Sequence, residues 1–252
     1  MLRTTVAAAA LLSFGSVAHA TSISIQTFTI ADFNSLTSSA VIEDFEDQST
    51  LTGLFENGAN VDGTGGTTEG EIQGVLGTSV GTFTTIGPIG NGSTCGALDL
   101  NGDNCTNIAL QEDPGQNGQG NLVPAAGDWS INSNDTLGVI WQAALAGGTF
   151  FDSLVFAIQD AADAGAKKLA VSADGVTETF DNLGNGNESI VVVSFGTAVN
   201  AATVNIETSA NDGFTIDGAA ISPVPLPASS LLLIGGMAAL AGVARRRKNK
   251  KA

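Results

Sequence analysis

From Ser22 onward the chain is a succession of short β-branched and aromatic runs separated by Gly, Asn and Asp. They are Ser22 to Ile25, Val41-Ile42 leading into Phe45, Leu137 to Trp141, Phe150 to Ile158, Leu169 to Ser172, Thr177 to Phe180, Ile190 to Phe195, Ala202 to Ile206 and Phe214 to Ile221. Val, Ile, Thr and Phe suit the pleated surface of a sheet, and the residues between the runs suit tight turns. The run centres lie about 10–14 residues apart, which favours antiparallel strands over strand–helix–strand units. The spacing predicts an all-β fold, a single β-sandwich or jelly-roll-like domain. Asp174-Gly175 and Asn185-Gly186 read as hairpin turns. Only Asp160 to Lys168 offers a helical turn, and Gly165 weakens it. The stretch from Asn57 to Asn121 is less regular, with Gly- and polar-rich segments at 57–70 and 114–120 that read as long surface loops.

Both ends of the chain carry a different kind of sequence. Arg3, an apolar run from Val6 to Phe14 and Ala18-His19-Ala20 form the three parts of a secretory signal peptide over residues 1–20, with Thr21 as the first mature residue. At the other end, residues 223–252 divide into a Pro-rich motif (224–229), an uncharged run (228–244) and a basic tail (245–251). Pro225 and Pro227 fix their own φ and push Val224 and Leu226 towards extended backbone, the form that a peptidase cleft accepts. The 17 uncharged residues from Ala228 to Ala244 make roughly 26 Å of helix at ~1.5 Å each, the lower limit for a transmembrane helix across a core of about 30 Å. Six Arg and Lys follow within residues 245–251. They place the tail in the cytoplasm and the body, residues 21–222, outside.

The series Val224-Pro225-Leu226-Pro227-Ala228-Ser229, Leu231 to Gly236 and Arg245 to Lys248 resembles the VPLPA-CTERM variant of the PEP-CTERM sorting signal of Gram-negative bacteria. The resemblance implies recognition by an exosortase-type peptidase, removal of the tail, and release from an inner-membrane-anchored precursor to the cell surface or extracellular matrix. The Sec translocon and signal peptidase are the partners implied at the other end.

With the tags set aside, charge and composition exclude whole classes of chemistry. All 25 acids lie in the body, which keeps only Lys167 and Lys168 as bases, a formal charge of −23. Such a surface repels nucleic acid and anionic lipid. The single histidine, His19, belongs to the signal peptide, and the chain has no tyrosine. A Ser-His-Asp triad, a Cys-His dyad and a His-containing zinc site are therefore absent from the body. Cys95 and Cys105, an even pair in an exported chain, read as a disulfide worth about 2–3 kcal/mol for so short a loop.

The acids supply the remaining candidates. Phe45-Glu46 near the start and Ile216-Asp217 near the end resemble the pairing in carbohydrate-binding-module jelly rolls. There, a first-strand Glu and a last-strand Asp hold a structural calcium, and a second Asp is common where this chain has Gly218. The resemblance implies calcium between Glu46 and Asp217; the alternative is solvent-facing acids at strand ends. Asp99, Asn101 and Asp103 place oxygen side chains at loop positions 1, 3 and 5, as an EF-hand begins. The loop lacks the glycine at position 6 and the glutamate at position 12, so a turn-rich hairpin tip competes with a calcium loop. Asp160-Ala-Ala-Asp163 reads either as a carboxylate pair or as a solvated turn. Trp141 reads as core; Trp129 is the better surface candidate for a sugar-stacking platform, and a half-buried ring is the reading favoured for it.

The expectation is an exported, non-catalytic surface or matrix protein. A calcium-dependent module that binds extracellular polysaccharide is the alternative. A carboxylate glycosidase, for instance through Asp160 and Glu178, is third, since it needs two acids roughly 5–9.5 Å apart in a cleft.

Overall fold

The structure, a computed structural model, describes residues 20–47, 51–55, 70–87, 107–112, 119–134, 136–162, 168–208 and 213–224. The signal segment before Ala20, the tag from Pro225 onward, Cys95 and Cys105, and Asp99, Asn101 and Asp103 lie outside these residues. Among the described residues no helix is long and apolar enough to cross a membrane.

The strands are β1 (Ser22–Thr27), β2 (Val41–Glu43), β3 (Thr52–Phe55), β4 (Gly70–Thr78), β5 (Gly81–Thr85), β6 (Ala109–Glu112), β7 (Trp129–Asn132) and β8 (Gly138–Ala144), followed by β9 (Phe151–Gln159), β10 (Lys168–Ala173), β11 (Val176–Asp181), β12 (Glu188–Val199), β13 (Ala201–Thr208) and β14 (Thr215–Pro223). One helix, α1 (Ile30–Leu36), follows β1. Every β-run expected from the sequence is a strand. The less regular region before Asn121 holds three more: β4 and β5, whose pattern is diluted by Gly and Thr, and the four-residue β6.

All pairings are antiparallel, and they build two sheets. The first runs β1–β12–β9–β14, with β2 and β7 both on the far side of β14, and continues through β6. The second runs β3–β4–β5–β8–β13–β10–β11. β4 belongs to both, since Gly70 and Glu71 pair with β6 while Leu76 to Thr78 pair with β5. A strand that changes sheets closes one side of a sandwich.

Between the sheets lies the larger core. Trp141 stacks on Phe83 (5.4 Å between centroids, 14°) and meets Phe156 edge-on (6.2 Å, 88°). Its indole N–H donates to the Val80 carbonyl at 3.0 Å, so the buried ring keeps no unmet donor. Phe45 packs edge-on against Phe83.

The outer faces of the two sheets differ. In β9 the alternate residues Leu154, Phe156 and Ile158 enter the main core, yet Val155 and Ala157 are buried too. They join Phe33 of α1, Leu122, Val123, Ile190 and Ala220 in a second cluster on the outer face of the first sheet. Burial on both faces explains why β9, β12 and β14 read as nearly continuous apolar runs. α1 is held there by Thr29, whose hydroxyl accepts the Asp32 N–H (3.0 Å) as a helix N-cap.

Two turn expectations need revision. Asp174-Gly175 joins β10 to β11 with positive φ at both residues, as a tight hairpin requires. Asn185-Gly186 instead lies between β11 and β12, which belong to different sheets, so it turns a crossover and not a hairpin. At Asp160, β9 ends in a turn, with positive φ at Asp160 and Ala162. Residues 163–167 lie outside the described set.

Candidate functional site

Residues 119–128 cross the outer face of the first sheet as a strap. Leu122 and Val123 are its apolar anchors, packed with Phe33, Val155 and Ala220. Side chains from the strands beneath and from the loop after β2 fasten the rest of it. Asp217 Oδ2 accepts the N–H groups of Leu122 (2.6 Å) and Val123 (2.7 Å), and its Oδ1 accepts the N–H of Gly218 (2.6 Å). Glu46 Oε1 accepts the N–H groups of Asp128 (2.8 Å) and Trp129 (2.9 Å), and Asn121 Nδ2 donates to the same oxygen (3.2 Å). Gln159 Oε1 accepts the Gly120 N–H at 2.8 Å.

A buried amide network continues under the start of the strap. Asn132 Nδ2 donates to Gln111 Oε1 (2.6 Å) and Gln119 Oε1 (2.7 Å), and Gln111 Nε2 donates to the Gln119 carbonyl (3.0 Å). Gln119 Nε2 reaches the Gly213 carbonyl (2.7 Å) and Asp160 Oδ2 (3.3 Å), while Asp160 Oδ1 accepts the Gly186 N–H (2.8 Å). Glu43, also buried, accepts the N–H of Phe45 with one oxygen and the N–H and hydroxyl of Ser79 with the other.

Local backbone geometry delivers these acids. Phe45 sits at φ +60°, a region costly for an aromatic residue, and there the chain turns its ring into the main core while Glu46 reaches the strap. Gly218 sits at φ +55° inside a register shift of β14 between Asp217 and Ala220. A Cβ there would come within 2.7 Å of the Phe33 ring and 2.9 Å of Val123. A second Asp here, where the carbohydrate-module pattern has one, would be crowded against both side chains and held at a strained φ. Gly127 is likewise dictated by contact, since a Cβ would collide with Glu46 Oε1 and Asn121 Nδ2.

Asp217 is fully buried, which corrects the solvent-facing alternative for this residue. Burial drives its pKa well above the ordinary carboxylate range. The N–H groups of Leu122, Val123 and Gly218 oppose that shift, and the charge of Glu46 adds to it. Both acids singled out from the sequence, Glu46 and Asp217, accept N–H groups of one strap. Among the described residues their hydrogen-bond partners are N–H donors. Calcium takes six to eight oxygens. Here the strap offers the two carboxylates N–H donors, which stabilise an anion and repel a cation. Among the described residues no group of three or more acids, Cys or His could hold a metal. The described set fits a carboxylate clamp on backbone.

Other candidates fall elsewhere. Asp160 is buried and bonded to Gly186 and Gln119, not part of a solvated turn, and Glu178 is exposed on β11 of the opposite sheet. Trp129 is 8 % exposed and Trp141 is fully buried, so neither ring is a surface platform. Gln111, Gln119, Asn132 and Gln159 escaped sequence reading because amides carry no periodic signal. Their one cue was four buried-type positions held by polar residues close to apolar strands.

No family model matches this chain, and no curated protein matches it in sequence. Among solved structures it is similar to the CBM22-1 and GH10 modules of Clostridium thermocellum endo-1,4-β-D-xylanase 10B complexed with xylohexaose. That match has 17 % identity over 47 % of this chain and 25 % of that one, with a TM-score of 0.28. It is also similar to the Agl-KA catalytic domain, at 18 % identity over 47 % of this chain and 25 % of that one, with a TM-score of 0.31. The chain spans a quarter of the length of either.

Proposed function

We propose that this chain is an exported, non-catalytic β-sandwich of the cell surface or extracellular matrix, delivered as a membrane-anchored precursor and released by an exosortase-type peptidase at the motif Val224 to Ser229. One observation carries the non-catalytic reading. The buried acids Glu43, Asp160 and Asp217, and the half-buried Glu46, are all engaged as acceptors that hold backbone or amides in place. A general acid or nucleophile needs a carboxyl that faces a substrate, and these face the protein's own chain. Among the described residues, two cavities at either end of β1 and β12 each present a single acid, Asp152 in one and Glu188 in the other. A glycosidase needs two acids in one cleft.

Delivery rests on the two terminal segments: the small-x-small site at Ala18 to Ala20, and the Pro motif, apolar run and basic cluster at the other end. Intact-mass measurement of the exported protein tests it. The expected chain begins at Thr21 and lacks Arg245 to Lys251; a mature chain that keeps the basic tail overturns the sorting reading. Incubation with a panel of polysaccharides should release no sugars, and catalytic turnover would overturn the non-catalytic part. A melting temperature unmoved by EDTA is expected from the clamp, whereas a fall of several degrees would restore calcium between Glu46 and Asp217.

A further inference from the structure

The two ends of the described body meet at one pole. Ala20 and Val224 line the same cavity of about 550 Å³, together with Ser22, Asp152, Ser194 and Thr197. β1 enters there, with Ser22 opposite Ser194 and the Thr21 hydroxyl donating to Asp174 Oδ2 at 2.8 Å. β14 leaves there, with Pro223 opposite Phe151. The Val224 N–H donates to the Phe150 carbonyl at 2.8 Å, and Val224 is half-buried. The first residue of Val224-Pro225-Leu226-Pro227-Ala228 is thus already part of the fold, with no linker between domain and motif. The Val224 N–H is the last one on the described strand, and it is already bonded to the chain at the start of β9.

We propose that this strand end sets the N-terminal limit of tail processing, and that the pole carrying Ala20 and Val224 is the face held against the membrane-embedded peptidase. The inference rests on the sorting reading above. A peptidase takes its substrate as free extended chain, and residues up to Val224 are committed to the sheet. The four steps from Val224 to Ala228, where the uncharged run begins, span at most about 14 Å. The headgroup layer on one side of a bilayer takes up roughly 5–8 Å of that. The body therefore sits directly on the enzyme's membrane-level surface, and one more hydrogen bond must open for the motif to be fully released. The bond broken is an amide C-terminal to Val224: its carbonyl carbon gains the oxygen of water, or the nitrogen of an amine acceptor, and the departing nitrogen takes the proton. Thr21 at the same pole means that removal of the signal peptide and of the tail takes place on one side of the folded body.

The test is a pulse–chase of the full chain in cells that process it, with mass spectrometry of the mature C-terminus. Wild type is compared with a variant in which Gly-Ser-Gly-Ser-Val is inserted after Val224, so that an intact motif follows a slack linker. The wild-type chain should end at or beyond Val224, and the insertion should speed tail removal about fivefold, the factor that opening one backbone hydrogen bond imposes. A mature wild-type C-terminus upstream of Val224, or tail removal at the same rate in both chains, overturns this inference and leaves the sorting reading standing. Retention of Arg245 to Lys251 in both chains overturns the sorting reading and this inference with it.

Discussion

The outer faces of the two sheets are made from the same kinds of residue and serve opposite purposes. On the second sheet, β11 and β13 present Thr177, Thr179, Thr203 and Glu207 to solvent. Their polar groups pair laterally where they pair at all: Thr203 with Gln142 and Ser172 with Thr177, both at 2.8 Å. On the first sheet, α1 and the strap cover the face, and the polar side chains beneath it, Asp217, Gln111 and Asn132, hold the cover on. An acid in water needs no partner, and an acid under cover must find donors. With only two lysines in a body of 25 acids, the donors are backbone N–H groups and amides in place of cations. What separates a solvated acid from a structural one is therefore the layer above it and not the residue type.

The comparison is sharpest at Phe33, the largest fully buried side chain of the cover. Phe33→Ala should cost about 3–5 kcal/mol in urea unfolding, the usual range for a buried aromatic, and should release α1 from the sheet. A cost below about 1 kcal/mol would mean that the helix is not structurally coupled to the sandwich. Next comes the strap itself. Gly127→Ala drives a methyl into Glu46 Oε1 and Asn121 Nδ2 and should cost about 1–3 kcal/mol through overpacking. Protection of the Asp128 and Trp129 amides in hydrogen exchange should fall with it. Unchanged protection would show that Glu46 does not clip the strap.

A third effect is smaller and depends on pH. The pKa of Asp217 is raised in the folded state above its ordinary value of 3.8. The unfolded chain therefore releases this proton at lower pH than the native protein does. The stability that protonation of this group contributes is complete below the unfolded pKa and is lost as pH rises through the folded one. Asp217→Asn removes the titration. It keeps an acceptor for Leu122 and Val123 and loses the one for Gly218, at a cost of about 1–2 kcal/mol in acid. The stability gap between wild type and variant should narrow as pH rises from below 4 towards neutrality. Melting curves for both proteins across that range measure it, and a gap that widens with pH would reverse the assignment.

The sequence showed the strands of the covered sheet plainly, because burial on both faces turns β9, β12 and β14 into long apolar runs. It also singled out Glu46 and Asp217, which the fold brings to one strap from distant parts of the chain. It hid β4 and β5, whose glycines break the alternation, and α1, whose Thr29-x-x-Asp32 cap is a short signal beside a seven-residue helix. The strap was the least legible part. Its residues read as loop, and what makes it a layer is a set of contacts to Asp217, Glu46 and Gln159, far away in sequence. Asp160 went the same way: its burial depends on Gln119 and Gly186, which no local pattern connects to it.

The smallest effect is expected on the bare face, and it checks the other half of the comparison. Glu207 is exposed on β13, with Ala170 of β10 opposite it. Glu207→Gln keeps the shape, removes one of the body's negative charges and breaks no buried contact, so stability should change by no more than about 0.5 kcal/mol. Raising the salt concentration should reduce even that, because at 0.15 M exposed charges are screened over about 8 Å. A cost above about 1 kcal/mol that survives added salt would mean that this face, too, lies under a cover in solution. The acids of β11 and β13 would then join Asp217 as anchored groups, and the contrast between the two sheets would be one of partner and not of fold.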